Sequence, residues 1–367
     1  FAQAFLPRGR APQVGELFQF AAAARALRAI GETGGEAFYR GEIAQTLAAF
    51  NRQYGGSMTE QDLAAYQPQW VTPICKNYRG YTLHEIPPNG QGIAALIALG
   101  ILDKFDVGSL PVDGVDSQHL QIEAMKLAFA DVYKFVAEPS SMQVTAEQML
   151  DDAYLASRAK LINMSKAQDF GAGNPVKGGT IYLTAADEAG MMVSFIQSNY
   201  MGFGSGCVEP TFGISLQNRG HSFSLASGVN QVAPGKRPFH TIIPAFLSKN
   251  GRPVMSYGVM GANMQPQGHM QTLVRMLDYG QNPQAACDAP RWRFNEGLAI
   301  NVESSMNAHA VQGLSDRGHR LEVIADSYQD FGAGQFIWRM GAENGNPAMD
   351  GYVAASDPRR DGQAVGF

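Results

Sequence analysis

Two glycines and a threonine stand directly before a run that suits a buried strand: Gly178-Gly179-Thr180, then Ile181-Tyr182-Leu183-Thr184-Ala185-Ala186. Residues 181–186 are apolar or β-branched, which reads as a buried strand. Asp187-Glu188-Ala189-Gly190 reads as a tight turn, and a second strand is predicted over residues 191–198. The pair runs into the glycine-rich Gly202-Phe203-Gly204-Ser205-Gly206. Residues 167–179 are rich in Gly, Ala, Asn and Pro and lack periodicity. They read as an exposed loop, the kind of segment most easily cut. A hydroxyl at position 180 is thereby held at the start of a rigid strand, behind glycines that let another group approach the backbone closely. Taken by itself, a Thr that opens a strand is a good β-former and nothing more.

The periodicity changes across this point. Before it the chain reads as mostly helical: residues 14–30 ended by Gly31, 42–54, 93–102, 116–136, and one or two helices within 146–163. Thr59 followed by Asp62 resembles a capping box. Two strands with a short turn are predicted at 70–75 and 78–86. After Thr180 strands dominate: 181–186, 191–198, 211–217, 240–247, 254–258, 299–303, 320–324, 335–340 and 352–356. Helices are predicted at 265–279, 283–287 and 306–317. A helical front half and a strand-rich back half suit two packed sheets between helical layers.

At 367 residues the chain is long enough for one large layered domain or two smaller ones. A formal net charge of −5 and the lack of any basic run argue against nucleic acid or an anionic membrane as partner. No apolar stretch is long enough to span a bilayer. Cys75, Cys207 and Cys287 are odd in number and far apart, so they form neither a disulfide framework nor a metal motif. Cytoplasm and periplasm both fit. The chain opens on Phe1-Ala2-Gln3 without an initiator Met, and the expectation is that residues precede it, which leaves the compartment open.

Several short motifs compete for attention. Asp169-Phe170-Gly171 and Asp330-Phe331-Gly332 both spell the kinase metal motif, but no glycine-rich ATP loop or catalytic-loop signature accompanies them. Neither Gly-x-Ser-x-Gly nor His-Glu-x-x-His occurs. His240 and His269 read as hydrogen-bonded structural residues. Pro87-Pro88-Asn89-Gly90-Gln91-Gly92 precedes an apolar helix, where free N–H groups could hold an anion or simply connect two elements. Lys236-Arg237-Pro238 forms a basic turn. Gly258-Val259-Met260-Gly261-Ala262-Asn263 lies between a strand and a helix, and a glycine turn there can aim successive amides at one spot, as an oxyanion hole requires.

In their order and spacing these pieces resemble the gamma-glutamyltranspeptidase family of N-terminal-nucleophile hydrolases. The match runs through Gly35…Phe38-Tyr39-Arg40-Gly41, Tyr78-Arg79-Gly80-Tyr81, Pro87-Pro88…Gly92, Thr180 with Asp187, Phe203-Gly204-Ser205-Gly206, Lys236-Arg237-Pro238, Gly261 and Asp357-Pro358-Arg359-Arg360-Asp361-Gly362. Asp278-Tyr279-Gly280 and Ala289-Pro290-Arg291 fall in step. The resemblance implies an α+β fold, a four-layer αββα sandwich, and a precursor that cuts itself between Gly179 and Thr180. Residues 1–179 would be the C-terminal part of a large subunit and 180–367 a small subunit, paired as a heterodimer within one αββα domain. Thr180 would be the nucleophile, Ser198 its hydroxyl partner, and Gly261 with Ala262 the oxyanion donors. Tyr200, Arg219, Ser222, His240 and Thr241 would line the substrate site. Neither metal nor cofactor is implied.

The departures from the family pattern bear on substrate. Ile181-Tyr182 follows the nucleophile where the family has Thr-His. Tyr200 replaces an Asn, His240-Thr241 a serine pair, and Ala262 the second oxyanion glycine. Ser222 stands where the family has the Asp that grips the substrate α-ammonium. The stretch from Phe223 to Lys236 is too short for a long lid loop. The family Arg that binds the substrate α-carboxylate would lie upstream of Phe1. The resemblance implies a self-processing γ-glutamyltransferase or hydrolase acting on γ-glutamyl amides such as glutathione, with water or an amine as acceptor. A glutaryl-type acylase on the same fold and a non-catalytic binding relative are the alternatives.

Overall fold

Every residue of the helix Ile93–Leu102 is apolar or glycine, and every one is buried in the computed structural model, which describes residues 1–171, 179–341 and 351–367. A helix without a polar face belongs in the middle of a core. Its boundaries are those expected, because the loop of prolines and glycines before it breaks any earlier helix.

The strands are, in chain order, β1 (Ile74–Tyr78), β2 (Tyr81–Glu85), β3 (Gly179–Ala186), β4 (Met192–Tyr200), β5 (Val208–Glu209), β6 (Ile214–Ser215), β7 (Ala245–Lys249), β8 (Arg252–Met260), β9 (Trp292–Glu296), β10 (Ala299–Glu303), β11 (Arg320–Ile324), β12 (Ala333–Met340) and β13 (Gly351–Ser356). By contacts the chain forms two compact units, Phe1–Trp70 with Met201–Asn218, and Val71–Tyr200 with Arg219–Phe367. The smaller unit holds α1 (Ala2–Phe5), α2 (Ala21–Thr33), α3 (Glu36–Tyr39), α4 (Glu42–Gln53) and α5 (Glu60–Ala65), with the short pair β5–β6. Its core gathers Ala26, Ala37, Ile43, Leu47 and Phe212. The Thr59–Asp62 capping box is formed, each residue bonding the other's backbone N–H.

The larger unit is built on a six-stranded antiparallel sheet, β1-β2-β7-β8-β12-β13. The helix Ile93–Leu102 (α6) packs on β1 and β2, and behind it lies α7 (Val115–Phe135), followed by α8 (Ala146–Met149) and α9 (Asp152–Ala159). The helix α10 (Met264–Leu277) lies on β8, and α11 (Pro283–Asp288) on β12 and β13. A small sheet, β11-β10-β9, sits near α7 and α10, with α12 (Ala308–Asp316) against α7 and α13 (Ser327–Asp330) before β12. On the other side the hairpin β3–β4 packs on β8 and β12. Helices, a sheet and a second sheet therefore stack in order, and the fold is an α+β sandwich as expected. The outer face of the hairpin carries Ile181, Leu183, Val193 and Phe195, all exposed. No described helix is long and apolar enough to cross a membrane.

Some boundaries differ from expectation, for identifiable reasons. The helix expected over 14–30 spans Ala21–Thr33, and residues 14–20 are not helical: Glu16 is drawn to Arg8 and Arg10. Its end is set by Gly34, which adopts the left-handed conformation, and not by Gly31. The strand expected at 70–75 is β1, four residues later. Of 211–217 only Ile214–Ser215 is strand. The strand expected from His240 begins at Ala245, after Pro244, since residues 240 and 241 are claimed by the loop at 89–91. The strand β9 was not expected. The exposed loop expected over 167–179 lies largely outside the described residues, which include 167–171 and Gly179.

Candidate active site

Alternation along β3 turns Thr180, Tyr182 and Thr184 toward β8 and leaves Ile181 and Leu183 outside. The Tyr182 ring covers Gly258, where a Cβ would stand 2.5 Å from the ring. The Tyr182 hydroxyl bonds Ser194 Oγ at 2.7 Å, and the Thr184 hydroxyl bonds that of Ser256. The residue in the family's His position is thus a packing anchor for the hairpin. Burial pushes its phenol pKa up.

The register of β3 against β4 shifts between Gly179 and Ile181: Gly179 faces Tyr200, whereas Ile181 faces Gln197. The extra residue lies in β4, opposite Thr180. Such bulges bend a strand and re-aim a side chain. Here Thr180, 5% exposed, donates from Oγ1 to Ser198 Oγ at 3.2 Å. The Tyr200 N–H donates to the same Ser198 oxygen at 2.8 Å. Tyr200 has φ +81, an outlier for a bulky residue and one of the strained conformations that cluster at functional sites.

From Tyr200 the site continues through side chains. The Arg219 guanidinium stacks on the buried Tyr200 ring at 4.7 Å and donates to Thr241 Oγ1 at 2.7 Å. Burial lowers its pKa to about 10, so it stays charged near neutral pH. The His221 ring lies 6.2 Å from that of Tyr200. Ser222 Oγ is buried, with no hydrogen-bond partner among the described residues. His240 is held at about 3 by burial and by the nearby Arg219 and Arg237, which leaves a neutral imidazole unfit to take up a proton at working pH. Its Nδ1 accepts from the Ile242 N–H.

The turn between β8 and α10 is tight because α10 lies close on β8: a Cβ on Gly268 would stand 2.5 Å from Val259. Gly261 has φ +124 and Ala262 φ +52. Among the described residues neither the Gly261 nor the Ala262 N–H is engaged in a loop or turn hydrogen bond. On its other side the turn rests on Gly332, whose Cα would be 3.0 Å from a Cβ at Gly261. The second kinase-like triplet is thereby explained as structure. Asp330 pairs with Arg293, Phe331 is buried, and Gly332 clears the Met260 carbonyl.

One residue of the site was not expected from sequence. Gln91, fully buried, donates from Nε2 to the carbonyls of Thr241 at 2.7 Å and Ala262 at 2.8 Å. The structure therefore links Thr180, Ser198, Tyr200, Arg219, Thr241, Gln91 and the Gly261–Ala262 turn into one series of contacts. No described hydrogen bond joins Ser222 or His240 to Thr180. The only signal for Gln91 was its place between two glycines in the loop before α6.

Other motif pieces prove to be anchors. Arg237 pairs with Glu138 at 2.6 Å, and Lys236 donates to the Val229 and Gln231 carbonyls. Asp278 takes hydrogen bonds from Tyr78 and Arg79. Asp357 and Arg359 form buried pairs with Arg291 and Glu303. In the smaller unit Gly204 packs against the Leu216 carbonyl. His269 accepts at Nε2 from the Val259 N–H and meets Glu85 through Nδ1 at 2.7 Å, the structural role expected of it. Away from the site, His119, Glu123 and His319 bring ligand-type atoms within 4.8 Å of one another. The Lys126 ammonium, 2.7 Å from Glu123, already supplies the positive charge there.

An α+β sandwich with a buried threonine hydroxyl at the start of a strand docked on the larger sheet suits the class of N-terminal-nucleophile hydrolases. The whole chain, residues 1–367, matches the family described as gamma-glutamyltranspeptidase, and the chain belongs to that family. The glutathione hydrolase-like YwrD proenzyme of Bacillus subtilis is 36% identical over 373 residues, covering 100% of this chain and 69% of that protein. The oxamate amidohydrolase proenzyme of Klebsiella pneumoniae is 34% identical over 373 residues, again covering 100% and 69%. The crystal structure of a cephalosporin acylase from Bacillus halodurans aligns with a TM-score of 0.92 at 49% identity, over 100% of this chain and 66% of that one. The chain thus spans about two thirds of the length of these relatives.

Proposed function

We propose that this chain is a self-processing amidohydrolase whose nucleophile is Thr180. The observation that carries the reading is the Thr180 hydroxyl, buried at a strand start and donating to Ser198 across a bulge. Cleavage of the Gly179–Thr180 bond would divide the chain into residues 1–179 and 180–367, the parts of a large and a small subunit that pair as a heterodimer. It would also free the Thr180 α-amine, whose ordinary pKa of ~7.7–8.0 suits a base near neutral pH. Nucleophile and base then share one residue. The hydroxyl proton passes to the amine as Oγ1 attacks the amide carbonyl, and the oxyanion accepts from the Gly261 and Ala262 N–H groups. The same proton leaves with the departing amine. Water, or a second amine, resolves the acyl-threonine.

For the acyl donor, Ser222 favours an acyl group without an α-ammonium over a γ-glutamyl group. A hydroxyl at this position forms no charge-assisted hydrogen bond to an ammonium of the kind a carboxylate would. A glutaryl-type amide is therefore the favoured substrate class, with γ-glutamyl amides such as glutathione as the competing one. Oxamate, in the name of one relative, carries no α-ammonium, whereas the name of the glutathione hydrolase-like relative points to the competing class.

The direct test is a denaturing gel followed by N-terminal sequencing. Two fragments are expected, the smaller beginning at Thr180, and Thr180→Ala should stay a single inactive chain. A smaller fragment that begins elsewhere would overturn the proposal.

A further inference from the structure

Ala262 occupies a conformation that disfavours any side chain. With φ +52 it lies in the left-handed region, which costs an L-residue free energy that glycine escapes. Such a residue persists only when its surroundings over-determine it. Both peptide planes that flank Ala262 are pinned. The Gly261 carbonyl, in the plane before it, accepts from the Met264 N–H at 3.0 Å. The Ala262 carbonyl, in the plane after it, accepts twice: from the Gln265 N–H at 3.1 Å and from Gln91 Nε2 at 2.8 Å.

Gln91 is itself fixed from three directions. Its backbone N–H donates to the His240 carbonyl at 2.9 Å, its carbonyl accepts from the Ala94 N–H at 2.9 Å, and Nε2 also reaches the Thr241 carbonyl. Both side-chain partners are carbonyls, so the amide orientation follows from the network: nitrogen toward them, Oε1 away. That Oε1 is buried, with no hydrogen-bond partner among the described residues.

We infer that Gln91 is a positioning residue for the oxyanion turn. It holds Ala262 in the left-handed conformation, keeps the Ala262 N–H aimed at the oxyanion, and ties the turn to the Thr241–Arg219 wall. This rests on the reading of Gly261–Ala262 as the oxyanion site. Without the Gln91 amide, the plane after Ala262 keeps only the Gln265 N–H, so the strained Ala262 backbone relaxes against the single Met264 bond that holds the 261–262 peptide, and that peptide carries the Ala262 N–H. A glycine at 262 has no such drive to relax, so dependence on Gln91 is tied to the alanine.

The experiment measures kcat and KM on glutaryl and γ-glutamyl p-nitroanilides for the wild type, Gln91→Met, Ala262→Gly and the double variant, with rates normalised to the fraction of chains beginning at Thr180. Displacements of catalytic groups by an ångström can cost about 10²-fold. Gln91→Met should therefore lower kcat by about 10²-fold while KM moves by less than about threefold, the signature of an interaction used mainly in the transition state. In the Ala262→Gly background the same substitution should cost less than about tenfold. An equal loss in both backgrounds, or a loss confined to KM or to Tm, would overturn the inference. Should Gln91→Met fail to process, Gln91→Glu, of the same shape, takes its place in the same comparison. Replacing Ala262 by its α-hydroxy acid, lactic acid, which removes the Ala262 N–H and keeps the turn's side chain, separates the two levels. If that variant is folded and fully active, the oxyanion reading falls. If it is inactive while Gln91→Met keeps its kcat, only the role of Gln91 falls.

Discussion

The hydroxyls of Thr180 and Ser198 lie 3.2 Å apart because β4 carries one more residue than β3 at that point. Ser198 also accepts from the Tyr200 N–H, which biases its own proton away from Tyr200 and fixes the direction from which Thr180 approaches. Ser198→Ala removes this partner. A hydrogen bond of this kind contributes about 0.5–1.5 kcal/mol, so self-cleavage and turnover should each slow by up to about tenfold. Ser198→Thr, which keeps a hydroxyl, should recover most of the rate. Time courses on denaturing gels and anilide kinetics check both.

Ser222→Asp should shift donor preference toward γ-glutamyl over glutaryl anilide by about tenfold to a hundredfold in kcat/KM, from the ~1.5–3 kcal/mol of a hydrogen bond to a charged group. A wild type that already prefers the γ-glutamyl donor by more than two powers of ten, with no gain from Ser222→Asp, would count against the glutaryl assignment.

Gly332→Ala should be destabilising although it lies outside the chemistry. Its φ is +68, and a Cβ would stand 2.0 Å from the Met260 carbonyl oxygen. Strain of this kind costs about 1–3 kcal/mol, and the displaced β8 end should carry the oxyanion turn with it. Thermal unfolding should show the lower stability, and kinetics a lower kcat.

Stability should fall as pH drops below about 6.5, the ordinary histidine value. Burial holds His119 at about 4 and His319 at about 3. Between these values and 6.5 the unfolded chain binds protons that the folded chain does not, so stability is complete above this window and is lost through it. Each such histidine contributes a slope of about 1.4 kcal/mol per pH unit. Glu123, raised by burial, acts in the opposite sense, while Lys126 and Arg317 oppose protonation of the pair. The readout is therefore a difference: the unfolding free energy of His319→Gln should decline less steeply from pH 6.5 to 4 than that of the wild type.

The hairpin's outer face should behave as exposed apolar surface. Ile181, Leu183, Val193 and Phe195 form an alternating apolar row on two paired strands, and contiguous patches of this kind bind partners or aggregate. The 367-residue chain should enhance the fluorescence of an apolar dye, and Phe195→Glu with Leu183→Lys should reduce the signal without abolishing self-cleavage.

What was legible in the sequence is what local pattern dictates. The helix α6 is wholly apolar and follows a loop of prolines and glycines. The strands β10 and β11 were read to the residue, and the Thr59 capping box lies within four residues. Charges hid β9: Arg293 inside it and Arg291 beside it look like surface residues, yet their partners Asp330 and Asp357 arrive from far along the chain and permit burial. Gln91 was hidden for the same reason, since its two carbonyl partners lie 150 and 171 residues away. Thr180, Ser198 and the glycine turn were visible as a family pattern. The bulge that aims Thr180 at Ser198 was not, because register is a property of two strands and neither one shows it.

That bulge gives the proposed cleavage a meaning beyond activation. Thr180 meets Ser198 only once β3 has paired with β4 in the shifted register, and Tyr182 seats over Gly258 only once the hairpin has docked on β8. If cleavage runs fast only in this register, most chains whose Gly179–Thr180 bond is broken have reached it at least once. The cut is permanent, so it outlasts any later unfolding and acts as a covalent receipt of correct assembly. In a cell extract, the ratio of intact to divided chains would count how many molecules had ever matured, independently of how many are folded at the moment of sampling.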